Sequence, residues 1–321
     1  ATGDWSTFET RDAGTISLES GTQILRITFE GGSQDIRSFT LTQLETDEPA
    51  NDGVIGESGT LTVTQSDPDE WFQVEFTEEL TDPAVVMGPI SSNDSDPANV
   101  RVRNVTDTGF EFQIDEWDYL DGTHAAETVS WLAVESGTHS VNGLTVAAGV
   151  ASVDDAGDDV SFASAFDASP TVLTQVSSTS DGNAVVERVD DVGSGGFSVD
   201  LDREEDASGS HPAEALSWIA FEQGGSAGDG LLVGQSDDPV SDATSTISFT
   251  DSFAEDEFAF IADMQTKNGA DTSLVRLTAI NAASATVFVE EETSGDDEVG
   301  HVAESIGFAA LETGLLFEDV V

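Results

Sequence analysis

The sequence predicts an all-β protein made of tandem antiparallel β-sandwich domains, three repeats preceded by an N-terminal partial β-sandwich. Three observations lead there. Apolar residues alternate with polar ones, as at Leu25, Ile27 and Phe29, at Phe72, Val74 and Phe76, and at Phe110, Phe112 and Ile114. Period two, with clusters of Asp, Gly, Asn and Ser between the runs, is the pattern of strands and turns. One block of sequence also returns three times, and no stretch carries helical periodicity.

The repeated block fixes the organisation. Residues 124–137 read HAAETVSWLAVESG, residues 211–224 read HPAEALSWIAFEQG, and residues 301–314 read HVAESIGFAALETG. The period is about 90 residues, enough for a small sandwich of six or seven strands. Upstream features follow it. Phe76, Phe162 and Phe249 align, each four residues before Leu80, Phe166 or Phe253, and Arg101, Arg188 and Arg276 align as well. The copies are placed at 47–138, 139–225 and 226–321, with short linkers around 140–143 and 224–230. The expected arrangement is a linear rod of neighbours, and the alternative is closure around a pseudo-threefold axis. Residues 1–46 differ from the repeats and supply two or three strands, too little for a core of their own.

Composition sets the environment. The 321 residues include 64 acidic and 9 basic ones, a formal net charge of −55 with a single lysine, Lys267. Self-repulsion of that size opposes a compact state. Molar salt shortens the Debye length to roughly 3 Å and relieves it. The chain is therefore read as a haloarchaeal-type acidic protein of an extreme halophile. The same charge excludes nucleic-acid backbones, which need clustered Lys and Arg, and anionic lipid. Membrane insertion is excluded too, since no apolar run approaches about 20 residues. With 18 Phe and 5 Trp in periodic positions, the chain is expected to fold. Cysteine is absent, so disulfides and thiolate metal sites are excluded.

Recurrence singles out polar residues. His124, His211 and His301 share one repeat position, as do Arg101, Arg188 and Arg276, Glu127, Glu214 and Glu304, and Glu135, Glu222 and Glu312. Alternation places Glu127, Val129, Trp131, Ala133 and Glu135 on one face of a strand and Leu132 and Val134 on the other, so both faces are expected to be buried. A buried Glu must be paired, and Arg on a neighbouring strand is its natural bidentate partner. The expected role is a structural network of Arg, Glu and His that closes each sandwich. The alternatives are a sugar site at the His and Glu, and a metal site if the copies converge. No cofactor is expected; the one Ca²⁺ reading is the turn at Asn93-Asp-Ser-Asp96, against a solvated acidic turn. No G-x-S-x-G, H-E-x-x-H or Walker loop is present, and carboxylate pairs carry no signal in so acidic a chain.

Two resemblances bear on function. Trp5, residues 15–18, Gly21-Thr-Gln23, Leu25-Arg-Ile27, Gly31-Gly32 and Ile36-Arg-Ser-Phe39 resemble the C-terminal half of a family 6 carbohydrate-binding module. That resemblance implies a polysaccharide-binding sandwich with Trp5 as the sugar-stacking residue. Phe76, Pro83-Ala-Val-Val86, Val102-Arg-Asn-Val-Thr106, Gly109-Phe110 and Trp131-Leu-Ala133 resemble H-type lectin domains. Those are six-stranded sandwiches that trimerise and bind sugars. The function expected is a non-catalytic binding or adhesion protein, extracellular or at the cell surface, whose partner is glycan or polysaccharide. The alternatives are a subunit of an extracellular filament, sheath or halophilic virion, whose partners are copies of itself, and the tail of a secreted glycoside hydrolase.

Overall fold

A computed structural model describes residues 53–254 and 258–319. The segment 1–46, with Trp5, lies outside the described residues. The first module contains β1 (Val54–Gln65), β2 (Phe72–Glu75), β3 (Pro83–Met87), β4 (Ala98–Thr106), β5 (Gly109–Glu116) and β6 (His124–Glu135). The second follows with β7 (Gly137–Val141), β8 (Leu144–Val153), β9 (Asp158–Ser161), β10 (Thr171–Val176), β11 (Val185–Gly193), β12 (Gly196–Arg203) and β13 (Glu214–Phe221). The third has β14 (Gly224–Ser226), β15 (Leu231–Gln235), β16 (Ser245–Ser248), β17 (Phe258–Met264), β18 (Ser273–Asn281), β19 (Ser284–Glu291), β20 (Ile306–Glu312) and β21 (Gly314–Phe317). The all-β class holds, and among the described residues these strands pair antiparallel.

Each module is a sandwich of a four-stranded and a three-stranded sheet. The outer sheets run β2-β5-β4, β9-β12-β11 and β16-β19-β18. The inner sheets run β21-β1-β6-β3, β10-β13-β8-β7 and β14-β15-β20-β17. The recurrent aromatics fill the space between the two. Phe76 lies 6.0 Å from Trp131, Phe162 lies 5.6 Å from Trp218 and Phe249 lies 5.9 Å from Phe308, ring centre to ring centre. Edge or tilted contacts at these separations add to the area that such rings bury.

The central strand of each inner sheet is buried on both faces, as its alternation indicates. In β6, Val129, Trp131 and Ala133 pack into the first sandwich, whereas Leu132 and Val134 enter a different core. That second core is common to all three modules. It gathers Val86, Leu132 and Val134 with Leu173, Ile219 and Phe221 and with Ile261, Ala309 and Leu311. The modules meet cyclically: β13 packs on β3, β20 on β10, and β17 on β6. The described residues fall in a single unit, 51–321. The linear rod is thus corrected to a closed ring. Three extra apolar sheet faces are removed from water this way, at about 25 cal/mol per Å², and that gain exceeds a repulsion that brine screens.

The segments expected to be linkers are strand in part: 140–141 end β7 and 224–226 form β14, while 142–143 are a turn and 227–229 a short 3-10 helix. After each central strand the chain turns at a recurrent glycine with positive φ, Gly137 at 142°, Gly224 at 144° and Gly314 at 120°. Side chains rarely adopt that backbone region. Beyond the turn, β7 and β14 pair with β8 and β15, the counterparts of β1 in the second and third modules. β21 pairs instead with β1 of the first module, Glu57 opposite Leu315, and so closes the ring.

Candidate functional site

The twelve recurrent polar residues do not act as one set within each sandwich. Arg101 of β4 reaches Glu214 of the second module at 2.9 Å. Arg188 of β11 reaches Glu304 of the third at 3.4 Å. Arg276 of β18 reaches Glu127 of the first at 3.5 Å. Each arginine therefore serves the next module, and the expected network inside a sandwich is corrected to one between sandwiches. The reason is directional. The arginines stand on edge strands of the outer sheets, facing a junction. Each glutamate stands near the start of a central strand, within β6 for Glu127, at the start of β13 for Glu214 and two residues before β20 for Glu304, facing the same junction from the other side.

Every member of this ring is buried, with Arg188, Arg276, Glu127 and Glu304 at 0% exposure. Each arginine also keeps a carboxylate of its own module: Arg101 with Asp115 at 3.6 Å, Arg188 with Asp202 at 3.4 Å, and Arg276 with Glu290. Arginine N–H groups also donate to backbone carbonyls across the junction, although Arg188 Nε is buried without a partner. Arg101 donates to Ser178 and Asn183, both at 3.1 Å, and Arg276 Nη2 to Ser91 at 2.8 Å. Burial raises Asp115 to about 6 against the pull of Arg101, and it raises Asp202 and Glu290 as well.

The glutamates are satisfied by residues that the repeat pattern had not marked. Hydroxyls of Ser91, Ser178 and Thr266 donate to Glu127, Glu214 and Glu304. The backbone N–H groups of Asn93, Ser180 and Asn268 donate to the same three, at 2.8, 2.9 and 2.8 Å. The available signal was recurrence: a hydroxyl residue two positions before Asn93, Ser180 or Asn268, in the same place in every copy.

Each histidine lies between carboxylates. His124 Nδ1 is 3.0 Å from Glu116 and Nε2 is 3.3 Å from Glu127. His211 Nε2 is 2.9 Å from Glu214, with Asp181 3.4 Å from Nδ1. His301 stands 2.6 Å from Glu291 and 3.3 Å from Glu304. At His124 and His301 two flanking glutamates favour the imidazolium, which carries an N–H on both nitrogens. Burial works against the charge on His124 and His301, but the flanking glutamates outweigh it and hold both pKa values above the ordinary one. On Glu304 burial is likewise outweighed, by His301, Thr266 and the N–H groups of Gly269 and Asn268, which hold it near about 2. Glu127 and Glu214 are lowered in the same manner.

Glu135, Glu222 and Glu312 stand apart from the ring, at the ends of the central strands. Glu135 accepts from the Thr81 N–H at 2.7 Å and Glu222 from the Thr145 N–H at 3.1 Å, while Glu312 is exposed. Lys267 adds another bridge between modules, 2.7 Å from both Asp200 and Asp202. In the 93–96 turn, Asp94 accepts from the Ala125 and Ser95 N–H groups, each at 2.7 Å, which ties the turn to β6. Among the described residues, no three His, Asp or Glu side chains converge in a metal-holding group.

Outside the ring, a groove of about 740 Å³ runs along the junction of the first two modules. Pro83, Val105 and Val150 form apolar wall, and Asp82, Asn104 and Ser217 supply polar atoms. Val150 is 54% exposed, whereas the Ser217 hydroxyl is buried without a hydrogen-bond partner. Asp82 and Asn104 have φ of 45° and 51°, a region that L-residues seldom occupy.

No protein-family model matches the chain, and no solved structure matches it. The chain is similar to Halomucin from Haloquadratum walsbyi, 28% identical over 327 aligned positions that take in 93% of this chain and 4% of that protein.

Proposed function

We propose that the chain is a non-catalytic binding or adhesion unit of an extracellular protein from an extreme halophile, with the ring as scaffold and glycan as ligand. The observation that carries this reading is that the recurrent Arg and His, with Glu127, Glu214 and Glu304, are buried and face one another at the junctions. Residues so placed hold modules together and are closed to a sugar. The ligand face is then the groove at the first junction, where the exposed Val150 offers an apolar surface and the exposed Asp82 and Asn104 supply polar atoms. A groove of this kind, apolar with a few polar groups, suits an uncharged polyol. The net charge of −55 disfavours anionic glycans. The likeness to a small part of Halomucin supports an extracellular place in brine.

The test is titration of the chain with neutral and anionic oligosaccharides in molar KCl, followed by Trp fluorescence and calorimetry. Saturable binding of a neutral glycan, abolished by Val150→Asp, is expected. Absence of binding across a broad glycan set would overturn the reading. It would leave the second one, a structural subunit of a filament, sheath or virion, which the outer edge strands favour. β2, β9 and β16 close their sheets on one side with mostly exposed side chains, and unpaired edges of that kind accept strands from other copies.

A further inference from the structure

The three junctions are alike in their Arg–Glu pairs but differ at two positions near the axis. Glu187 of β11 corresponds in register to Val100 and Val275, and Asp263 of β17 to Gly88 and Gln175. Both acids line a cavity of about 40 Å³, to which β3, β4, β10, β11, β17 and β18 contribute Met87, Val100, Thr174, Val186, Met264 and Val275. A space of that size holds only a few water molecules, so it hydrates a pair of carboxylates poorly.

Both acids also hold the same strand. β10 is the edge of its sheet, so alternate N–H groups along it need partners from outside. Val172 donates to Gln265 Oε1 at 2.9 Å, Thr174 to Asp263 Oδ2 at 3.2 Å, and Val176 to Glu187 Oε2 at 3.1 Å. The Thr174 hydroxyl donates to Asp263 as well. Gln265 and Asp263 belong to the third module and β10 to the second, so this edge is sewn across the junction by side chains.

Charges facing the pair come from two elements. Arg101 on β4 acts on Glu187 and Arg188 on β11 acts on Asp263, but each guanidinium is already engaged by Glu214 or Glu304 and its own Asp. No other acidic or basic side chain lines the cavity among the described residues. Two carboxylates so placed do not ionise together without strong repulsion.

We propose that Glu187 and Asp263 form a proton-operated latch at the junction of the second and third modules, closed while the pair holds a proton and loosened when the last proton leaves. Burial, and for Glu187 the neighbouring Asp263, raise Glu187 to about 7 and Asp263 to about 6. Carboxylates raised in the folded state contribute stability that is fully present below the ordinary carboxylate range, falls as pH rises above that range, and is gone once pH has passed the folded values of about 6 and about 7. The ring would therefore respond to alkaline shifts around neutrality at one junction of three.

The experiment uses the whole chain in molar KCl, with thermal unfolding from about pH 5 to about pH 8 and amide exchange at Thr174 and Val176. The wild type should lose stability up to about pH 7 and level off above it, about tenfold in the folded-to-unfolded ratio for each pH unit in which the folded chain holds one proton that the unfolded chain has lost. Glu187→Gln should flatten that loss by one proton's share and be the more stable form at the alkaline end. Asp263→Asn should do the same and replaces Glu187→Gln if the latter does not fold. Exchange at Thr174 and Val176, normalised to Leu216 within the same sheet, should accelerate in the wild type as pH rises towards about 7 and level off above it. Profiles for wild type and variant that stay parallel, as a purely structural contact would give, would overturn the latch. If neither variant folds, unchanged normalised exchange in the wild type overturns it, and acceleration supports it.

Discussion

Arg276 in the third module lies 3.5 Å from Glu127 in the first, with both side chains fully buried. Their separation along the chain covers most of the three modules, so the contact exists only if the ring is shut. Breaking a buried pair by removing one partner leaves an uncompensated charge and costs about 3–5 kcal/mol.

A direct comparison follows from that cost. Arg188→Ala should lower the unfolding midpoint far more than Arg203→Ala. Arg188 has no exposure and faces Asp202 and Glu304, whereas Arg203 is 21% exposed and 3.6 Å from Asp155. The first change should cost about 3–5 kcal/mol and the second about 0–1 kcal/mol. Denaturant titration in molar KCl measures both, and equal midpoints would contradict the ring.

The histidines and Glu304 give limbs of opposite sign. His301 has a raised pKa in the fold, so its contribution is present below the ordinary His value and disappears as pH rises through the folded one. His301→Gln should therefore lose stability at about pH 5 and little at about pH 9. Glu304, held near about 2, contributes above the ordinary Glu value and loses that share as pH falls through about 2. Glu304→Gln should be costly at neutral pH and nearly silent in strong acid.

The closing strand tests the shared core. Leu316 is 7% exposed and sits among the residues common to the modules, although it follows the last repeat block. Leu316→Ala should cost about 2–5 kcal/mol, as core truncations do. The exposed neighbour Phe317 should be tolerant of the same change, and thermal midpoints of the two variants separate them.

Salt should govern the whole assembly. On dialysis into dilute buffer the Debye length grows to about 30 Å, and −55 charges then repel across every junction. Tertiary circular dichroism and Trp fluorescence should be lost together. A cooperatively folded chain at low salt would contradict the role given to screening.

Much of the fold was legible because β-alternation is local. Trp131 and Ala133 against Leu132 and Val134 already required two cores on either side of β6. The identities of Arg101, Glu127 and His124 were legible through recurrence. Their direction was not, because repeated residues give the same pattern whether they pair within a copy or with the next one. Ser91, Ser178 and Thr266 escaped notice since hydroxyl residues crowd the turns of this chain. Glu187 and Asp263 escaped for the opposite reason: they do not recur, and among 64 acids two more carry no mark. The exchange of β7, β14 and β21 was hidden because a Gly turn reads the same before a linker and before a strand.

Ring closure can be read out covalently in a chain that has no cysteine of its own. Glu57 in β1 and Leu315 in β21 are directly opposed partners, and antiparallel partners stand about 4.5–5.5 Å apart at Cα, within reach of a disulfide. The double variant Glu57→Cys/Leu315→Cys, oxidised while dilute in molar KCl, should form one intramolecular disulfide in nearly every molecule. A closed ring predicts that product, seen as a monomer with altered mobility that reverts on reduction. Free thiols after oxidation, or crosslinks formed only between chains, would contradict it.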